Sequence, residues 1–294
     1  MIKRLLLIYL LWSCFTISVK ATGQVGEIII IGHDTLSMLS CPIEADSLIS
    51  EEVQKQIRTF LSDEHFSTGC YRRYIGYWQL ENNTLYLEKI RVYPDRHEGE
   101  QTFLKIDSIF GKYKEKESRI TASWFSGELK VVSGKCVSYI HDGFLRDYEH
   151  ERIYKIEQGK VISQAFYENS LQKARITKEE ALQFIIQQFN KDLFPELKDI
   201  KIGCLFSLIP QKDGKIDSLI IHHITFGKED ISSERQQLFI QELRSCFDLI
   251  PEWDVITIHG KIQPTLSRWF IPLWRGKEFR EKYRKTKKGT KFTT

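Results

Sequence analysis

The sequence predicts an α+β protein with an N-terminal antiparallel β-rich domain and a C-terminal small α/β sandwich. Residues 24–170 contain many short runs of β-branched and aromatic residues separated by turn-forming residues. Residues 171–274 contain two helical stripes and three apolar runs, in the order helix, strand, strand, helix, strand. The composition, 41% apolar and 28% charged, is typical of globular domains.

The first 23 residues have the pattern of a signal peptide. Lys3 and Arg4 precede an almost wholly apolar run over residues 5–19, and Ala21 and Gly23 are small residues suited to cleavage. This apolar run is shorter than the roughly 20 residues that span a membrane. The pattern predicts a periplasmic or otherwise exported protein from which residues 1–23 are cleaved. An uncleaved membrane anchor and a lipoprotein attached through Cys14 are the alternatives.

Five cysteines remain after residue 23: Cys41, Cys70, Cys136, Cys204 and Cys246. Their number is odd, and no two form a Cys-x-x-Cys pair. This spacing favours free thiols over a disulfide framework or a thiolate metal site, with one bridge between Cys41 and Cys70 left open.

Positive charge is concentrated in the last twenty residues. Residues 275–294 contain nine Lys or Arg against Glu278 and Glu281, whereas the chain as a whole has a net charge of +4. We expect a basic flexible tail, either a solvated end or a weak contact with an anionic surface. The body of the chain is mildly acidic, so we expect no nucleic-acid partner.

The N-terminal domain is predicted to contain about eight strands and two short helices. One helix is expected to begin at Ser50, with Val53 and Ile57 on its apolar face, and the other is expected over residues 102–110. The clearest hairpin joins residues 71–80 to residues 84–93. The other strands are predicted at residues 27–31, 35–39, 120–125, 128–132, 136–141, 152–156 and 161–162.

Residues 27–165 resemble a group of uncharacterised exported proteins of Bacteroidetes. The matching residues include Gly32-His33-Asp34-Thr35-Leu36, Arg73-Tyr74-Ile75-Gly76-Tyr77-Trp78 and Ala122-Ser123-Trp124-Phe125-Ser126-Gly127. The resemblance implies no definite activity.

The C-terminal region begins with a capping box, Thr177-Lys178-Glu179-Glu180, followed by a helical stripe that ends before Pro195. Strands are predicted at residues 202–209 and 216–225, joined by a turn at Asp213-Gly214. A second helix is predicted over residues 233–250, and a last strand over residues 265–273.

Residues 200–274 resemble the C-terminal domain of TonB and its relatives. Four pieces match in order: Asp213-Gly214-Lys215-Ile216, Leu249-Ile250-Pro251-Glu252-Trp253, His259-Gly260-Lys261 and Phe270-Ile271-Pro272-Leu273. The resemblance implies a strand-strand-helix-strand domain whose sheet edge takes up an extended peptide. The chain departs from TonB itself, since it has only seven scattered prolines and no Pro-rich spacer.

We therefore predict a non-catalytic module that binds a protein or peptide in the cell envelope. The candidate peptide-binding edge is carried by Thr265, Ser267 and Trp269 on the last strand. No catalytic, cofactor or metal site is predicted. His222 and His223 are adjacent on a strand, so their side chains point to opposite faces and cannot bind one metal ion together. The alternative is an envelope hydrolase using a polar loop from His141 to Glu151, with Asp142, Asp147, Glu149 and His150.

Overall fold

The computed structural model describes residues 22–62, 66–95, 99–115, 118–198 and 200–274. The predicted basic tail, residues 275–294, lies outside the described residues, as does the predicted signal peptide except for its last two residues. Within the described residues, no helix is both long enough and apolar enough to cross a membrane.

The protein belongs to the α+β class, with helices and sheets in each of two compact units. The units divide between Glu168 and Asn169. Each unit has its own hydrophobic core, and each is described separately below.

The N-terminal unit contains eight strands and two α-helices among its described residues. The strands are β1 (Glu27–Ile31), β2 (Asp34–Met38), β3 (Tyr74–Glu81), β4 (Thr84–Val92), β5 (Ile120–Thr121), β6 (Gly127–Tyr139), β7 (Arg146–Glu157) and β8 (Lys160–Glu168). The helices are α1 (Ser47–Phe60) and α2 (Asp107–Phe110), with short 3-10 turns at Pro42–Ala45 and Gly111–Tyr113.

Seven of these strands close into a barrel in the order β3, β1, β2, β6, β7, β8, β4, because β4 pairs again with β3. The joint between β4 and β8 is short. It consists of hydrogen bonds from Leu85 N to Gly159 O (2.8 Å) and from Val161 N to Asn83 O (2.9 Å). The remaining strand, β5, pairs with β4 outside this cycle. This closed barrel of the N-terminal unit differs in architecture from the small α/β sandwich that was predicted for the C-terminal region.

One strand pair corrects the prediction of a wholly antiparallel sheet. Strands β1 and β3 run parallel, with Ile29 opposite Trp78. Helix α1 lies between β2 and β3 in sequence and lets the chain pass to the other side of β1, which a hairpin connection cannot do.

Helix α1 begins earlier than the sequence predicted. Asp46 is its N-cap, and its carboxylate accepts hydrogen bonds from the backbone N–H groups of Leu48 (2.9 Å) and Ile49 (3.1 Å). The prediction that Val53 and Ile57 face the core is confirmed, since both are fully buried. The predicted helix over residues 102–110 is wrong in extent, because only Asp107–Phe110 is helical.

The long hairpin of β6 and β7 replaces several shorter predicted elements. The strands predicted at residues 128–132 and 136–141 form one strand, because β6 continues through Ser133-Gly134 with register shifts on both sides of Cys136. Gly134 has a φ of +81°, which glycine adopts without steric cost. The predicted loop over residues 141–151 is also wrong, because β7 begins at Arg146.

A buried ionic centre lies inside the barrel around Glu27. Its carboxylate is fully buried, accepts a hydrogen bond from the indole N–H of Trp78, and lies 3.3 Å from Arg72 Nε. A side chain at position 76 would come within 2.6 Å of both the Glu27 carboxylate and the Trp78 indole, which explains a glycine within β3.

Burial raises the pKa of Glu27 to about 7, although the Arg72 guanidinium and the Trp78 hydrogen bond oppose this rise. Glu44 adds a second carboxylate nearby and raises the pKa further. Tyr74 OH donates to Glu44 at 2.7 Å and so fixes the second carboxylate.

Glu27 is expected to make the N-terminal unit less stable as pH rises from about 4.5 to 7. In this window the unfolded chain has already released the proton that folded Glu27 retains, so the free energy of unfolding falls by about 3 kcal/mol. Glu27→Gln is neutral throughout and should abolish this fall in urea unfolding measured across the pH range. Glu157→Gln, at an exposed position, is the matched control. An unchanged pH slope in Glu27→Gln would contradict the assignment.

The C-terminal unit contains six strands and two α-helices among its described residues. The strands are β9 (Ser170–Gln172), β10 (Ile202–Pro210), β11 (Ile216–Phe226), β12 (Val255–Ile258), β13 (Lys261–Ile262) and β14 (Thr265–Ile271). The helices are α3 (Lys178–Gln188) and α4 (Ser233–Asp248), with short 3-10 turns at Lys191–Leu193 and Pro195–Leu197.

Strands β11, β10 and β14 form one antiparallel sheet in that order, and β13, β12 and β9 form a smaller one. The predicted succession of strand, strand, helix and strand is present as β10, β11, α4 and β14, but the short strands β12 and β13, which were not predicted, lie between α4 and β14. The predicted capping box is confirmed, because Thr177 N donates to Glu180 Oε2 (2.7 Å) and Glu180 N donates to Thr177 Oγ1 (3.2 Å).

The core of this unit lies on one face of the larger sheet. Alternate side chains of β10, including Cys204, Phe206 and Leu208, are buried in one cluster with the apolar faces of α3 and α4. The predicted turn is confirmed at Gly214, which has a φ of +84°. The opposite face of the sheet exposes Leu266 and Phe270 of β14.

Candidate functional site

The last strand, β14, lies at the edge of its sheet. It pairs with β10 on one side, and no other described strand pairs with it. Thr265, Ser267 and Trp269 lie opposite Leu208, Phe206 and Cys204 of β10. These three residues, predicted as a peptide-binding edge, therefore face the same side of the sheet as the helices.

A groove with a volume of about 390 Å³ lies beside this strand. Thr265, Ser267 and Trp269 form one wall, and the chain before and at the start of α3 forms another. The segment after α4, including Trp253, completes the lining. The volume falls within the range of about 300–1,000 Å³ that is usual for ligand pockets.

Two acidic residues after α4 hold the segment before α3 in place. Asp254 Oδ1 accepts a hydrogen bond from Ala174 N at 2.7 Å, and Glu252 Oε2 accepts from Arg175 N and Nε, both at 3.1 Å. The hydrogen bond from the Arg175 backbone, followed by that from its side chain, keeps the pKa of Glu252 below its ordinary value. These contacts fix the wall of the groove that is formed by the segment before α3.

The inner end of the groove is aromatic. The rings of Trp253 and Trp269 are stacked with centroids 5.6 Å apart, and each also stacks on Phe247. Phe206 meets Trp269 edge-on at 5.2 Å. Trp269 belongs to the core cluster of the C-terminal unit, and Trp253 packs against that cluster.

The rim of the groove carries positive charge. Lys173 and Lys178 line it, and both are exposed. The ammonium group of Lys178 lies 5.3 Å from the centre of the Trp269 ring, a cation–π geometry. Among the described residues neither lysine has an ion pair, whereas Arg175 on the same segment is paired with Glu252.

The polar residues from His141 to Glu151, considered as an alternative site, are bound to different partners. Lys130 Nζ contacts Asp147 (2.7 Å) and Glu151 (2.8 Å), so these two carboxylates neutralise one lysine. His141 Nδ1 lies 2.9 Å from Tyr139 OH.

The other members of that set are also dispersed. Glu149 accepts a hydrogen bond from Lys135 N (2.8 Å), His150 lies opposite Ser133 on β6, and Asp142 is exposed in the turn. His222 of β11 hydrogen-bonds Ser207 Oγ at 2.7 Å, and His223 lies opposite Leu205. Within the described ranges, no three His, Cys, Asp or Glu side chains form a group able to hold a metal ion.

All five described cysteines are free thiols, including Cys41 and Cys70, between which a bridge had been left open. Both are near the Glu27–Arg72 pair, and burial raises the pKa of each. Residues 71–78 contain a run of aromatic and basic residues in which Tyr74 and Trp78 belong to the core, and Arg72 and Arg73 are also buried.

Sequence reasoning missed the opposite wall of the groove. Nothing in the pattern placed Lys173 and Ala174 beside β14, because this segment is positioned by the pairing of β9 with β12 and by the hydrogen bond from Ala174 N to Asp254. The segment Ile250-Pro251-Glu252-Trp253-Asp254 indicated only the end of a helix, and its two acidic residues gave no sign of the partners that they bind.

No protein-family model, no curated protein and no solved structure matches the chain. The function of the groove is therefore argued from its geometry.

Replacing Asp254 by Ala should loosen the segment before α3. The substitution removes the acceptor of the Ala174 N–H group, so this amide should exchange with deuterium about tenfold faster, since local opening becomes easier. Asp248→Ala, which removes an exposed carboxylate at the end of α4, is the matched control and should leave the Ala174 rate unchanged. Equal Ala174 exchange rates in the wild type and in Asp254→Ala would show that this hydrogen bond does not hold the wall.

Proposed function

We propose that the C-terminal unit is a non-catalytic module that binds an extended polypeptide by adding it as a strand to β14. The observation that carries this proposal is the position of β14, which has a strand partner on one side and a groove beside it. An edge strand presents a row of backbone donors and acceptors that an incoming chain can pair with.

Side-chain alternation explains why the groove and the edge belong together. In an added strand, every second side chain would point to the helical side of the sheet, as Thr265, Ser267 and Trp269 do. Those side chains would enter the groove and pack on Trp269 and Trp253. Backbone pairing thus supplies affinity, and the groove supplies selectivity among sequences.

The TonB resemblance supports the same proposal. Apart from the short strands β12 and β13, which lie between α4 and β14, the succession β10, β11, α4, β14 is the order that the resemblance implies, and Leu249-Ile250-Pro251-Glu252-Trp253 follows α4 as in the matching motif. We propose a module of TonB C-terminal type on this basis. Energy transduction is not part of the proposal, because the sequence contains no Pro-rich spacer.

We place this activity in the cell envelope of a bacterium, in the periplasm or otherwise outside the cytoplasm. The pattern of residues 1–23 supports export, and the basic residues 275–294 support a weak contact with an anionic surface. The partner is accordingly a protein or peptide of the envelope, and no nucleic acid is involved.

Filling the groove should weaken peptide binding. A library of random decapeptides displayed on phage is selected against the full mature chain, and affinities of enriched peptides are measured by fluorescence anisotropy. Ser267→Trp places an indole in the groove, and we expect at least about twentyfold weaker binding because the peptide side chains lose their space.

Arg268→Trp is the matched control, since the neighbouring side chain points to the exposed face of the sheet. It should bind enriched peptides as the wild type does, and thermal unfolding verifies that both variants are folded. The proposal fails if no peptide is enriched, or if folded Ser267→Trp binds as tightly as Arg268→Trp.

A further inference from the structure

The side chain of Lys178 extends over one of the aromatic residues of the groove. Lys178 is the first residue of α3, and its ammonium group lies 5.3 Å from the centre of the Trp269 ring. Trp269 is one of the β14 side chains on the helical side of the sheet. The charge of Lys178 therefore lies in the layer that the side chains of an added strand would enter.

A second lysine lines the same groove from the segment before α3. The backbone of Lys173 is fixed on both sides, because Gln172 pairs with Val255 of β12 and Ala174 N donates to Asp254. Like Lys178, Lys173 is exposed and forms no ion pair among the described residues. Both positive charges are thus presented by ordered backbone.

The carboxylates around the groove are bound to the protein itself. Glu252 pairs with Arg175, and Asp254 accepts a backbone N–H group of the segment before α3. Glu180, in the first turn of α3, accepts hydrogen bonds from the backbone and the hydroxyl group of Thr177. These bonds direct the three carboxylates towards the protein, and the two ammonium groups are left for a ligand.

We propose that the groove selects extended polypeptides that carry an aspartate or glutamate side chain beside Trp269, where its carboxylate pairs with Lys178 and, at longer range, with Lys173. This inference rests on the function proposed above. Backbone pairing with β14 does not depend on the sequence of the peptide, whereas this contact does. Packing of the Lys178 side chain against the Trp269 ring restrains the ammonium group before the peptide arrives, which lowers the entropic cost of the ion pair.

The position of the groove favours an acidic side chain over the terminal carboxylate of a peptide. The β14 residues that line the groove, Thr265, Ser267 and Trp269, lie within the strand and do not mark its end beyond Ile271. A peptide that pairs along the whole of β14 continues past the groove. The carboxylate beside Trp269 is therefore supplied from within the peptide.

Lys178→Met tests the inference, because methionine retains an unbranched apolar side chain against Trp269 but lacks the charge. The probe is a C-terminally amidated decapeptide enriched from the phage library, so that only side chains supply carboxylates. We expect about fivefold weaker binding, as for the loss of an exposed ion pair, and a smaller dependence of affinity on salt. Lys228→Met, at an exposed position beyond the end of β11, should leave the affinity unchanged.

Reversing the charge separates an ion pair from a packing effect. Glutamate in the first turn of a helix is favoured by the helix dipole, so Lys178→Glu should fold. It should bind the acidic decapeptide more weakly than Lys178→Met does. A decapeptide in which lysine replaces the acidic residue should bind Lys178→Glu more tightly than it binds the wild type, and a purely structural role of Lys178 would not produce this exchange.

The outcomes distinguish the two proposals. If no decapeptide binds the wild-type chain, the proposed function fails and this inference fails with it. If decapeptides bind without enrichment of Asp or Glu, or if folded Lys178→Met binds them as tightly as the wild type, strand addition stands and the selection of acidic peptides is overturned. Enrichment of Lys or Arg would also overturn it and would assign the selectivity to Asp254. Enrichment of Asp or Glu, together with the exchange of preference in Lys178→Glu, supports it.

Discussion

The antiparallel pairing of β14 with β10 is the contact on which the candidate site depends. It fixes the register that places Thr265, Ser267 and Trp269 on the helical side of the sheet. A slip of one residue would turn these side chains to the other face and bring Leu266 and Phe270 into the core. The register is stabilised by the burial of Trp269 against Phe206 and Phe247, since these contacts exist in one alignment only.

The same aromatic cluster connects the core to the groove. Phe206 and Phe247 are fully buried, whereas Trp253 belongs both to their cluster and to the groove wall. Rigidity at this point lowers the entropic cost of binding, because the wall is already ordered before a peptide arrives. The segment before α3 is held differently, by polar contacts with Glu252 and Asp254 near the surface. One wall is therefore a packed core and the other is a hydrogen-bonded segment.

Local features of the fold could be predicted from the sequence, and long-range ones could not. The Thr177 capping box, the Asp213-Gly214 turn and the strands on either side of it depend on neighbouring residues, and each is present. Closure of the barrel depends on two hydrogen bonds between β4 and β8, more than seventy residues apart in the chain, and no periodicity encodes them. Glu27 begins an apolar strand and was assigned no role, because its partner Arg72 comes from a distant loop. The three side chains that β14 contributes to the groove were named from the sequence, but the opposite wall of the groove was not.

Amide hydrogen exchange in β14 tests the account most directly. The full chain is measured with and without a decapeptide enriched from the phage library. Strand addition predicts that alternate amides of β14, those directed away from β10, become protected when the peptide is bound, while amides of the other edge strand, β11, do not change. Peptide-induced protection confined to β11, or absent from both edges, would contradict the assignment of β14 as the binding edge.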